Sequence, residues 1–160
     1  MKPAFRLLLL VMLTTALLAQ NDGKPTVAMA PAGKVQVAAG GNANLELDFR
    51  VAPDYHINSH HPRQDYLIPT VLVLQAPQQV SVADLKYPAG TDVSFSFAPN
   101  DKLNVYSGDF SINVTLKAPA KSAPGNYPVK GELKYQACDH SACYPPHSIP
   151  VEFQVTVVRK

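Results

Sequence analysis

Cys138 and Cys143 are the two cysteines of a 160-residue chain, with Asp139-His140-Ser141-Ala142 between them and Tyr144-Pro145-Pro146 directly after. Thiols this close can open and close as a disulfide. They can bind zinc together with a histidine, or one can act as a nucleophile beside a histidine base. As a static staple the pair is weak. Closing a loop of about six residues removes about 2 kcal/mol of unfolded-chain entropy, against nearly 5 for a loop of about a hundred. Zinc finds further ligand types in His140 and His147, but structural zinc takes two well-separated ligand pairs. His56, His60 and His61 form a second cluster that reads as a solvated loop without a carboxylate pattern. No metal and no cofactor is expected. Cys-His hydrolysis needs an oriented base and an oxyanion hole, and no residue marks either. Pro145-Pro146 cannot donate to a β-ladder, so the turn reads as a rigid, exposed corner where a partner can reach a thiol.

The elements that carry this corner are strands. Asn44 to Val51 alternates apolar and polar residues, and so do Val93 to Phe97 and Phe110 to Leu116. This period of two marks a strand with one face on a core. Leu67 to Leu74 reads as a buried strand. Tyr127 to Tyr135 rises into the cysteine turn, and Ile149 to Val158 closes the chain with Val151, Phe153, Val155 and Val157 on one face. The 15 prolines fall mostly at breaks between these runs, where they cost no ladder hydrogen bond. No window holds a helical period. The expected fold is all-β, an immunoglobulin-like β-sandwich with the cysteine pair on a β-hairpin.

The amino terminus reads differently. Lys2 and Arg6 precede an apolar run from Leu7 to Leu18, and Ala19 gives a small-residue exit. That order is a secretory signal, too short to span a bilayer comfortably. The expected organisation is a signal peptide over 1–19, a polar lead-in over 20–34 and one domain over 35–160. Without Lys2 and Arg6 the 14 basic residues fall to 12, against 12 acidic ones. A neutral domain of this kind is not expected to bind nucleic acid. Export to the periplasm or another extracytoplasmic compartment permits a disulfide.

Tyr135-Gln136-Ala137-Cys138, a short insert and Cys143-Tyr144-Pro145-Pro146 together resemble the active-site hairpin of the amino-terminal periplasmic domain of the thiol:disulfide interchange protein DsbD. Pro53 to Ser59, Tyr66 to Thr70 and Val105 to Phe110 extend the resemblance over most of the chain. The resemblance implies a thiol:disulfide oxidoreductase or electron-carrier domain whose cysteine pair shuttles between dithiol and disulfide. Electrons would come from a membrane-embedded thiol reductase and pass to extracytoplasmic thioredoxin-fold proteins. Carried over by position, Cys143 makes the mixed disulfide and Cys138 resolves it. His56 and Asn58 match positions flanking the cysteines, and His140 and Tyr144 lie on the motif itself. The family shields its disulfide with an aromatic residue, for which Phe97 is the candidate and Phe95 fits nearly as well. A membrane bundle and a carboxy-terminal thioredoxin-like domain are absent from the 160 residues, so a stand-alone carrier is expected. The competing reading is a non-catalytic immunoglobulin-like interaction module with a static disulfide.

Overall fold

The computed structural model describes residues 26–95 and 98–160. The expected signal peptide and Phe97 lie outside the described residues. Twelve strands and no helix build the described chain, in three four-stranded sheets. The first sheet orders β1 (Val27–Met29), β3 (Asn42–Val51), β9 (Asp109–Lys117) and β6 (Ser81–Lys86), all antiparallel. The second orders β2 (Val35–Ala38), β12 (His147–Val158), β10 (Gly125–Tyr135) and β5 (Val71–Gln75). Here β2 runs parallel to β12, while the other pairs are antiparallel. Val27–Met29 lies inside the stretch expected as a lead-in, yet it pairs with Val51–Phe49 and buries Val27.

The first two sheets face each other across one core, an immunoglobulin-like sandwich. Its contents follow from the alternation seen in the sequence. Leu45, Leu47, Phe49 and Val51 come from β3, and Phe110, Ile112, Val114 and Leu116 from β9. The opposite wall is Val129, Leu133 and Tyr135 of β10 with Val151, Phe153, Val155 and Val157 of β12. Phe49 stacks on Phe110 with ring centroids 5.3 Å apart. Gly131 lets β5 approach β10 closely: a Cβ there would lie 2.0 Å from the Val73 carbonyl oxygen, so any side chain would push the strands apart.

Three of these strands run on, at one end of the sandwich, into a third, smaller sheet. It orders β11 (Ala137–Cys138), β4 (His56–Asn58), β8 (Ala98–Tyr106) and β7 (Thr91–Phe95). β3 reaches β4 through a turn with Asp54 at φ 67°, a left-handed conformation that aspartate tolerates. β10 reaches β11 through Gln136, and β8 leads into β9 through Ser107-Gly108. One face of this sheet presents Ile57, Tyr106 and Ala137 to the sandwich core. On the other face a second apolar cluster forms from Leu67, Leu103 and Val105, with Val93 and Phe95 packed against it.

One expectation is corrected here: Leu67 to Thr70 is not strand, and the strand in that region is Val71–Gln75.

Candidate functional site

The β10–β12 hairpin pairs from Gly125↔Val157 to Tyr135↔His147. Beyond Tyr135 the chain leaves that ladder. Ala137 and Cys138 cross to the third sheet and pair with Ile57 and His56. The hairpin tip is held by Tyr144 N–H donating to the Ala137 carbonyl at 2.8 Å and Asp139 N–H donating to the Ala142 carbonyl at 2.9 Å. Cys138 and Cys143 face each other between these two bonds, as a non-hydrogen-bonded antiparallel pair. Such pairs bring side chains closest. Their Cα atoms are 3.9 Å apart and a disulfide joins them.

The two sulfurs have different surroundings. Cys138 is fully buried, with 0% exposure, while Cys143 is exposed. Register also sets what lies beside each. Cys143 faces Cys138, and Cys138 faces His56, so the three form one row across the sheet. Directly opposed residues point to the same face.

His56 is buried and its ring stacks on Phe95, with centroids 3.9 Å apart and planes 16° apart. Its Nε2 has no hydrogen-bond partner. Burial lowers its pKa from 6.5 to about 4; nearby His140 lowers it further and Asp139 opposes the shift. The ring is therefore neutral at neutral pH. Asn58, two residues on, is also buried. Its Nδ2 donates to the Ile68 carbonyl at 2.9 Å and to Gln136 Oε1 at 3.2 Å. Gln136 Nε2 in turn donates to the Tyr144 carbonyl at 3.1 Å. A chain of amides thus ties β4 to both arms of the cysteine hairpin.

Asp139 organises the tip. Its Oδ1 accepts the N–H groups of Ser141 at 2.7 Å and Ala142 at 2.9 Å, and its Oδ2 accepts the Tyr144 hydroxyl. The Tyr144 hydrogen bond, then these two N–H groups, hold the carboxyl at about 2, and Tyr144 is pushed up to about 12 by the same carboxylate. The Tyr144 ring lies 6.0 Å from that of Tyr55.

A loop between β4 and β5 flanks the exposed sulfur. Its base is closed by Thr70 Oγ1 donating to the Asn58 carbonyl at 2.5 Å and Thr70 N–H donating to the Ser59 carbonyl at 3.1 Å. The His60 ring stacks on Tyr87 at 3.6 Å and its Nδ1 lies 2.9 Å from the Thr70 carbonyl oxygen. An exposed ion pair joins Arg63 to Asp92 of β7. Beyond it, Tyr66 and Leu67 form one wall of an open groove of about 490 Å³. Pro99, Asn100, Asp101 and Leu103 of β8 line another part, and Gln136 and Cys143 complete it. Tyr66 at 73% exposure, Ile68 and Tyr144 are among the few large apolar side chains left open to solvent.

The structure thus brings His56, Asn58, His140 and Tyr144 to the cysteine hairpin, and it puts Phe95 on His56. Sequence reasoning did not single out Gln136, Asp139, Thr70 or Tyr66. Asp139 carried a readable signal, since an Asp whose oxygen can accept the N–H groups two and three residues on, here Ser141 and Ala142, is an Asx-turn pattern at a hairpin tip. Gln136 and Thr70 carried none, because their partners are far along the chain.

A family model described as the N-terminal part of thiol:disulfide interchange protein DsbD matches residues 24–154. No curated protein matches in sequence. Among solved structures, the reduced DsbD N-terminal domain of Neisseria meningitidis is 20% identical, at 74% coverage of this chain, 80% of that one and TM-score 0.42. The N-terminal periplasmic domain of ScsB from Proteus mirabilis is 14% identical, at 80% and 47% coverage and TM-score 0.53. The seventh ScaB type I cohesin from Pseudobacteroides cellulosolvens is 14% identical, at 81% and 90% coverage and TM-score 0.50. The sandwich is thus shared with a cohesin, and fold alone does not specify chemistry.

Proposed function

The chain belongs to the family of DsbD N-terminal domains, and from that premise we propose that it is an exported thiol–disulfide interchange domain. It passes electrons between a membrane-embedded thiol reductase and extracytoplasmic thioredoxin-fold proteins through a reversible Cys138–Cys143 disulfide. In this reading residues 1–19 are a cleaved signal peptide and the domain works in the periplasm or an equivalent compartment. No helix among the described residues is long and apolar enough to cross a membrane.

The observation that carries the proposal is the unequal exposure of the two sulfurs. A donor thiolate attacks the exposed Cys143 sulfur in line with the S–S bond. That bond breaks, a mixed disulfide forms at Cys143, and the Cys138 sulfur leaves with the electron pair and takes up a proton. A second donor thiol then attacks the mixed disulfide, which frees Cys143 as a thiol and leaves the donor oxidised. Delivery to a partner runs the same steps in reverse: Cys143 attacks the partner disulfide and Cys138 resolves the intermediate. Cys138 is shielded from outside thiols, so mixed disulfides form at one sulfur only. Tyr66, which shares the groove with Cys143, and the adjacent Tyr144 give the incoming protein exposed aromatic surface beside that sulfur, the kind of rimmed patch that marks a docking site.

Trapping tests this directly. Cys138→Ser should accumulate a mixed disulfide through Cys143 with a reduced thioredoxin-fold donor whose resolving cysteine is removed. Cys143→Ser should accumulate none. Electron acceptance by Cys143→Ser, or a wild-type bond untouched by mild reductant, would overturn the proposal in favour of a static disulfide.

A further inference from the structure

His56 is a buried titratable side chain that the exchange steps leave unused. Three observations give it a task. It stands directly opposite Cys138 in the β4–β11 ladder, on the same face, with both residues buried. Its ring is stacked on Phe95, which fixes the plane in which its nitrogens lie. Its Nε2 is closed off from water and has no partner in the disulfide form. A disulfide sulfur has no hydrogen to give, whereas a thiol does.

We infer that His56 Nε2 is the hydrogen-bond partner that the Cys138 sulfur acquires when the disulfide opens, and that His56 thereby biases the pair toward the dithiol. The inference rests on the exchange reading for its use in the cell, though not for its measurement. When two electrons and two protons arrive from a donor dithiol, the S–S bond breaks and each cysteine takes one proton. The Cys138 S–H then donates to Nε2. Oxidation returns both protons to the acceptor and leaves Nε2 bare again. A buried polar atom without a partner is costly, and that cost falls on the disulfide form alone. The ring stays neutral through this cycle at neutral pH, because burial depresses its basicity. The charged and titratable groups acting on it, Asp139 and His140, both come from the cysteine hairpin. His56 is a positioning residue: it holds the resolving sulfur and exchanges no electrons.

The test is the redox equilibrium of the purified protein with glutathione, read by thiol alkylation, for wild type and His56→Phe. Phenylalanine keeps the ring stacked on Phe95 and removes the bare nitrogen. The equilibrium should shift toward the disulfide roughly fivefold. A purely structural role would destabilise oxidised and reduced forms alike and leave the ratio within twofold of wild type, which overturns the inference. If His56→Phe does not fold, ring nitrogen resonances of wild type decide. The Nε2 signal should move between the oxidised and reduced proteins, and an unmoved signal overturns the inference. Neither measurement needs a protein partner. A failed trapping experiment therefore removes the exchange reading without touching this one, and an unshifted equilibrium does the reverse.

Discussion

The sandwich and the small third sheet are built from the same strand geometry but are filled differently. Between the first two sheets the buried side chains are almost wholly aliphatic or aromatic. The buried polar residues among those described are His56, Asn58, Ser59 and Thr70, all on β4 or at the base of the loop that follows it. The buried side-chain atoms left without a partner, on His56, Asn58 and Gln64, fall in the same region. Polar groups in a low-dielectric interior are costly when unpaired. The sandwich carries none of that cost and supplies stability. The third sheet and the loop after β4 bear it beside the Cys138–Cys143 disulfide.

This division can be broken at either end. The largest effect is expected in the sandwich. Phe49→Ala removes a buried ring stacked on Phe110 and should cost about 3–5 kcal/mol of stability in denaturant unfolding, with the glutathione equilibrium unchanged. A shift in that equilibrium would mean the two regions are coupled. Acid should act on the other region. Unfolded His56 takes its proton near pH 6.5 and folded His56 only near pH 4. Between these values the unfolded chain binds more protons, so stability is full above pH 6.5 and declines as pH falls toward 4. The loss from this group is up to roughly 3 kcal/mol. Unfolding followed from pH 7 to 4 should show that slope in wild type and lack it in His56→Phe; equal slopes would place the acid sensitivity elsewhere. The smallest effect is local. Asp139→Ala removes the hydrogen bond and the charge that raise the Tyr144 hydroxyl, so its titration should fall from about 12 back toward 10. Ultraviolet difference absorbance reads this, and an unmoved Tyr144 would show that the hairpin tip is organised by something other than Asp139.

The same division explains what could be read from the sequence. Strands with one apolar face announce themselves by alternation. Asn44 to Val51 and Val151 to Val157 were legible for that reason, and so was the sandwich they form. β1 was not, because three residues are too few to show a period. The third sheet was the least legible. Ala137–Cys138 is two residues long, and β4 is three residues buried on both faces, His56, Ile57 and Asn58. Ala137–Cys138 is too short to show a period; His56-Ile57-Asn58 alternates polar and apolar types and reads as a short strand, but its pairing with β11 joins positions about eighty residues apart. The cysteine pair, His56, Asn58, His140 and Tyr144 could be named from motif and resemblance. That the hairpin tip leaves its own ladder to pair with β4 could not. Nor could the burial of one sulfur and the exposure of the other, which depends on that crossing. Phe95 stacks on the imidazole, while Phe97, the first candidate for the shielding aromatic, lies outside the described residues.

The β10–β12 hairpin also has a consequence in time. Its two arms are neighbours in sequence, and a hairpin closes in about 1–10 μs. The other contacts around the cysteines wait for distant segments. β4 lies about eighty residues upstream of its partner β11, and β2 must find β12 at the far end of the chain. Closure over longer separations carries a larger entropic penalty and comes later. As the chain folds, Cys138 and Cys143 therefore meet while both are still open to solvent. Only afterwards does β4 arrive and cover Cys138. The order of assembly leaves an early interval in which any oxidant can join the pair, and a finished molecule in which access is through Cys143.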